Sequence, residues 1–189
     1  MQQVHRDWSV DVLLTDTHCI RHKSVNDLMK RALASVDIPA ILEPSSLTRT
    51  DVKQSDGMSV LPWSYGRCLE WDFTCPDTTA ASHLNRAVVD ASVVASDAEE
   101  KKHAKCASLS SMYEFVPIAV ETFGAIGDTA LNFMKEVVRR SSAVTLEQRY
   151  FGYLMQRLRV AIQRGNAVCV TGTVPSRPPI STNYFFCRP

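Results

Sequence analysis

The run CLEWDFTC, residues 68–75, constrains this chain more than any other stretch. It alternates without interruption, so a strand there sends Leu69, Trp71, Phe73 and Cys75 to one face and Cys68, Glu70, Asp72 and Thr74 to the other. One face is dry and the other polar. Carboxylates are poor strand residues, and a buried one is costly without a partner. Glu70 and Asp72 therefore either lie on a solvated face or converge on something that needs negative charge. Upstream stands a second apolar run, MSVLP (58–62), joined to the first through WSYG (63–66), whose glycine suits a turn.

Folded as an antiparallel hairpin turning between Ser64 and Tyr65, the two runs set Asp72 opposite Gly57, with Asp56 as its diagonal neighbour. Opposed residues sit ~5 Å apart and diagonal ones remain within side-chain reach. The spacing thus brings Asp56 and Asp72 to one end of the hairpin, with Glu70 two residues away on Asp72's face. Clustered carboxylates repel one another unless a cation neutralises them. Oxygen-only ligands favour a hard cation such as Mg²⁺, which binds through one or two carboxylates plus water and substrate phosphate. Such a metal activates water and stabilises charge on a phosphate in transfer.

A helical pattern from about His83 to Leu109 carries Leu84, Val88, Ala91, Ala95 and Ala98 along one side. At three- and four-residue steps that stripe continues to Lys102 and Lys105, at the border of the face turned toward the sheet. A lysine placed there either offsets the acids and meets a phosphate as a compact point charge, or snorkels past the core to water.

Around this centre, VNDLMKRALASV (25–36) reads as a helix with an apolar stripe through Leu28, Ala32 and Val36, stopped by Pro39. AILEP (40–44) suggests a short strand, and the polar segment 45–57 a loop. EFVPIAVETFG (114–124) reads as a strand apolar enough to sit centrally, although Pro117 prefers an edge or a bulge. DTALNFMKEVVRR (128–140) and residues 146–164 read as two amphipathic helices, the second closed by Gly165 and Asn166. The order of elements predicts one mixed α/β domain.

A net charge of +1 neither demands nor excludes nucleic acid, so any basic surface is local. No apolar run approaches the ~20 residues needed to span a bilayer. The polar start of the chain does not read as a secretory signal, and an intracellular protein, nuclear or cytoplasmic, is expected. The six cysteines contain no C-x-x-C and read as reduced thiols, several of them in the core.

Six segments in order, RHKSVNDLMKRAL, SDGMSVLPW, LEWDFTCPDT, KKHAKCASL, FVPIAVETFG and IQRGNA, resemble the restriction-like endonuclease domain of site-specific non-LTR retrotransposons. They are closer still to stand-alone, reverse-transcriptase-derived copies of that domain. The likeness spans about residues 18–173, with 1–17 as a flank and 174–189 as an irregular proline-rich tail. That family is similar to the PD-(D/E)xK nucleases, which implies a restriction-endonuclease-like mixed sheet with an antiparallel hairpin, flanked by helices. It also implies Mg²⁺- or Mn²⁺-dependent nicking of DNA, without a small-molecule cofactor or a membrane.

By position, Asp56 takes the place of the family's first aspartate and Asp72 that of the second metal-binding acid, with Glu70 as a further candidate ligand. Thr74 stands where many such nucleases carry lysine, and Lys102, or else Lys105, is the displaced lysine. The chain departs from the pattern at Ser55, where the family has proline, and at Cys106, where it usually has tyrosine. Only His18, Cys19 and His22 suggest the tail of the family's zinc knuckle, so zinc is not expected. With no polymerase domain present, a truncated copy is expected, either active or reduced to a non-catalytic DNA-binding or protein-interaction remnant. Contacts to DNA phosphates are expected from Arg49, Lys53 and Arg67, with Lys23, Lys30, Arg31, Arg149, Arg157, Arg159 and Arg164 as further candidates. Trp63 and Tyr65 at the hairpin tip would either stack on a base or fold back onto the core. The oligomeric state is not legible in the sequence.

Overall fold

The computed structural model describes residues 8–44, 55–107, 112–145 and 149–173. Helix α1 (Trp8–Ala34) leads into the short strand β1 (Ala40–Leu42), followed by β2 (Gly57–Ser64) and β3 (Arg67–Thr74). After these come α2 (Ala81–Ala87), α3 (Val93–Lys105), β4 (Tyr113–Ala119), α4 (Asp128–Thr145) and α5 (Tyr150–Thr173). The four strands lie in the order β1-β2-β3-β4; β1 pairs with β2 and β2 with β3 antiparallel, and β4 runs parallel to β3. The protein is therefore a mixed α/β fold with helices on both faces of a mixed sheet. No helix among the described residues is long and apolar enough to cross a membrane.

Helix α1 begins well before the expected Val25, because no glycine or proline interrupts the chain between Trp8 and Ile38. It ends where Asp37 takes a left-handed conformation (φ 58°) and the Ile38 N–H reaches back to the Leu33 carbonyl at 3.1 Å, a helix-closing turn. Its stripe of Val25, Leu28, Met29, Ala32, Leu33 and Val36 is buried as the periodicity predicts. That stripe shares one buried cluster with Leu69, Trp71 and Phe73 of β3, Val116 and Ile118 of β4, and the inner faces of α4 and α5.

The hairpin turns at Tyr65 and Gly66, both left-handed (φ 49° and 74°), the geometry that matches the twist of two-residue hairpins. Pro62 has no N–H to give the ladder, and the register shifts on either side of it. The Leu69 N–H is satisfied instead by Ser59 Oγ at 2.8 Å. As a result Gly57 faces Trp71 rather than the expected Asp72, and continuing that register sets Asp56 level with Asp72.

Three further expectations are corrected. Strand β4 is an edge strand, not a central one. Its residues Phe115 to Ala119 are buried because helices cover both of its faces, and Pro117 is tolerated at the edge. The helix expected over 83–109 is broken at Ser92 (φ 80°), and Val88 of the expected apolar stripe is 79% exposed. Helix α5 continues through Gly165 and Asn166. A Cβ on Gly165 would lie 2.0 Å from Arg21 Cγ, and Arg21 Nη1 donates to Asn166 Oδ1 at 2.8 Å. Those two residues seat α5 against α1 instead of ending it.

Two buried glutamates orient α3. Glu121, just beyond β4, accepts from the Val94 and Ala95 N–H groups at 3.1 and 3.2 Å and from Thr78 Oγ1 at 3.0 Å. Glu99 of α3 accepts from the N–H groups of Ala119, Thr129 and Ala130 at 3.3, 2.8 and 3.0 Å. Each carboxylate meets the N-terminal turn of a helix, where the dipole and unpaired N–H groups favour negative charge. Cys68, Cys75, Cys106 and Cys169 are half-buried, and of these Cys75 packs against the core.

A Cβ on Gly57 would fall 2.1 Å from Trp71 Cζ2, whereas a Cβ on Gly152 of α5 meets nothing within 4 Å. Gly57→Ala is therefore expected to cost about 1–3 kcal/mol of unfolding free energy. Gly152→Ala should leave it unchanged or raise it by up to about 1 kcal/mol. Urea denaturation followed by circular dichroism checks both.

Candidate active site

Four elements meet where the hairpin strands end away from their turn. Asp56 enters β2, Asp72 lies in the last turn of alternation of β3, Lys102 reaches in from α3, and His22 comes from α1. The Asp56 main chain is tied to both neighbouring strands: its N–H donates to the Trp71 carbonyl at 3.1 Å and its carbonyl accepts from Glu43 N–H at 2.9 Å. Its Oδ2 accepts from the Phe73 N–H at 2.6 Å and lies 3.0 Å from His22 Nε2. Across the site, Lys102 Nζ stands 2.6 Å from Asp72 Oδ1 and donates to the Phe73 carbonyl at 3.3 Å. The strand register sets Asp56 level with Asp72, close enough for Asp72 to feel the Asp56 charge.

His22 is held from behind. Its Nδ1 lies 3.1 Å from Asn26 Nδ2, while Asn26 Oδ1 accepts from the Trp71 indole N–H at 3.1 Å. The imidazole also meets the Phe73 ring edge-on, 5.8 Å between centroids.

The two aspartates are pushed apart electrostatically. Burial raises the Asp56 carboxyl, but the His22 hydrogen bond, the Phe73 N–H and the Lys102 charge outweigh it and hold it below the usual carboxylate range. Burial also raises Asp72; there Lys102 opposes the shift without cancelling it, and the Asp56 charge adds to it. His22 is raised above its ordinary value by the Asp56 hydrogen bond, against the opposing effect of burial. A pair of carboxyls split in this way, beside a lysine, is a recurrent mark of functional sites.

Lys102, not Lys105, turns to the acids; Lys105 is exposed. Glu70 lies two residues from Asp72 toward the hairpin tip, level with Met58 and Phe115, and is only 4% exposed. The polar face of β3 is covered there rather than solvated. Among the described residues no three His, Cys, Asp or Glu side chains are gathered as for a metal ion. The oxygens around the Lys102 ammonium are Asp72 Oδ1 and the Phe73 carbonyl, with Asp56 near enough for its charge to be felt. An all-oxygen set of two carboxylates and a carbonyl suits a hard divalent cation that keeps several waters.

Arg67 pairs with Glu114 at 2.5 Å, near the hairpin tip and away from Asp56. Arg49 and Lys53 lie outside the described residues. Lys23, Lys30, Arg31, Arg149, Arg157, Arg159 and Arg164 are exposed, and Arg31, Arg157 and Arg164 line a cleft of 420 Å³ between α1 and α5. Trp63 folds back onto the core, against Phe133 and under the Arg140 guanidinium at 3.6 Å, whereas Tyr65 is 94% exposed. The side chains of His18 and Cys19 lie outside the described residues; His22 has Asp56 and Asn26 against its two ring nitrogens. His22 and Asn26 were the residues that strand counting missed. Their signal was a pair of polar residues four apart beside the buried stripe of α1.

No protein-family model matches the chain, and no curated protein matches it.

The split has opposite consequences for stability. Asp56's contribution is present above its unfolded value of 3.8 and is lost as pH falls through its lower folded pKa. Asp72 holds its proton more tightly folded than unfolded, so its contribution is full below 3.8 and is lost as pH rises through its higher folded pKa. Carboxyl ¹³C NMR is expected to show Asp72 titrating above 3.8 and Asp56 below it; the reverse order would mean the partners are misassigned.

Proposed function

We propose that this protein is a divalent-cation-dependent DNA endonuclease, nickase-like, with a restriction-endonuclease-like sheet derived from the endonuclease domain of a non-LTR retrotransposon. The observation that carries this reading is the convergence of Asp56 and Asp72 from adjacent strands, with Lys102 on Asp72 Oδ1 and the Phe73 carbonyl. Lys102 already places one positive charge among the oxygens, which supports the fit of this donor set to a hard cation. Asp56, Asp72 and the Phe73 carbonyl would hold Mg²⁺ or Mn²⁺, which when bound supplies charge neutralisation and water activation. Both aspartates would bind it through their carboxylate oxygens, and Asp72 would exchange its Lys102 partner for the cation. Lys102, a compact charge on a flexible stem, faces the scissile phosphate. The DNA backbone is held by the exposed arginines and lysines.

A second reading has its own support. Lys102 and His22 already partner Asp72 and Asp56 within the chain, so both carboxyls are satisfied in a structural cluster. In that reading the protein is a non-catalytic DNA-binding or protein-interaction remnant.

Plasmid relaxation in Mg²⁺ or Mn²⁺ separates the two. The endonuclease reading expects nicked circles from the wild type and at least about 10²-fold slower nicking from Asp72→Ala and Asp56→Ala. Lys102→Ala should slow nicking to a similar degree while leaving Mn²⁺ binding in place. Folded wild-type protein that leaves the plasmid supercoiled under both metals would favour the remnant.

A further inference from the structure

The hydrogen bonds behind His22 have a direction, and it is set by the one group that can only donate. An indole N–H has no acceptor capacity, and Trp71 is wholly buried. Its partner, Asn26 Oδ1 at 3.1 Å, belongs to a side chain only 4% exposed. Turning that amide over would set two donors against each other and leave the indole N–H unmet, at a cost of about 1–3 kcal/mol. Asn26 therefore presents Nδ2, a donor, to His22 Nδ1 at 3.1 Å. His22 Nδ1 must then carry its lone pair, which leaves the proton of the neutral imidazole on Nε2, 3.0 Å from Asp56 Oδ2.

We infer that Asn26 and Trp71 are positioning residues that fix the tautomer of His22 and, through it, which oxygen of Asp56 is offered to the site. Oδ2 accepts from both His22 Nε2–H and the Phe73 N–H at 2.6 Å, so its two lone pairs are engaged. A cation would then meet Asp56 through Oδ1, the oxygen those two donors leave open. The opposite tautomer would turn a lone pair of Nε2 toward Oδ2 and release the carboxylate to rotate. Partners of this kind behind a metal-binding group commonly change metal affinity by about 10–100-fold.

This inference rests on the reading that Asp56 holds a cation, but its first measurement does not. Long-range ¹H–¹⁵N NMR of the metal-free protein, at a pH high enough for the imidazole to be neutral, is expected to show His22 with a proton on Nε2 and a lone pair on Nδ1. Asn26→Asp replaces the donor by an acceptor and should move a proton onto Nδ1. Trp71→Phe keeps the aromatic packing, frees the amide to turn, and should give a mixture of the two tautomers. Both variants should bind Mn²⁺ about 10-fold more weakly by electron paramagnetic resonance titration. A wild-type proton on Nδ1 overturns the inference, as do folded variants that keep the wild-type nitrogen pattern or the wild-type Mn²⁺ affinity. A wild type that binds no Mn²⁺ sinks the endonuclease reading and the cation-presenting role together, while the nitrogen pattern still decides whether the relay exists.

Discussion

The burial of the Trp71 indole is the interaction on which the rest of this structure depends. The ring lies over Gly57 of the neighbouring strand, in space that any side chain there would occupy. Its N–H is bound to Asn26 of α1, and its carbonyl holds the Asp56 N–H. One residue thus sets the spacing of the hairpin, the seat of the first helix and the height at which Asp56 leaves the sheet. Its large apolar surface supplies much of the drive, and the single polar atom makes the packing directional.

Electrostatics of buried carboxylates supply the second constraint. Glu121 and Glu99 each spend their charge on the N-terminal turn of a helix, and together they tie α3 between the end of β4 and the start of α4. That anchoring decides that Lys102, one turn beyond Glu99, overlies Asp72 and the Phe73 carbonyl. The contrast with the site is instructive. Glu99 is met by three backbone N–H groups and Glu121 by two and a hydroxyl, whereas Asp72 has a flexible side chain, Lys102, as its principal partner. A carboxylate balanced by a side chain can exchange partners at far lower cost than one built into a helix terminus.

Much of the hairpin was legible because strand periodicity is strict. Leu69, Trp71 and Phe73 had to share a face, and Asp56 and Asp72 had to approach if the two runs paired at all. Lys102 was legible for a similar reason, as a cation on the continuation of an apolar helical stripe. What failed did so where non-local packing decides. Strand β4 is apolar because helices cover both of its faces, not because strands flank it. Gly165 reads as a helix stop but is an inter-helix contact with Arg21. Glu70 belongs to the polar set by alternation, yet its side of the sheet is covered.

By itself the sequence determined the alternation of β3, the turn at Gly66, the stripe of α1 and the closeness of two aspartates, because each follows from local periodicity and backbone conformation. Only the tertiary structure decided that His22 and Asn26, thirty or more residues upstream of Asp56, stand behind it, since a helix docked on a sheet has no sequence-local signature of its register. It also decided the direction in which each carboxyl's pKa is displaced. Burial, which no spacing reveals, is what raises Asp72 while the converging donors hold Asp56 down.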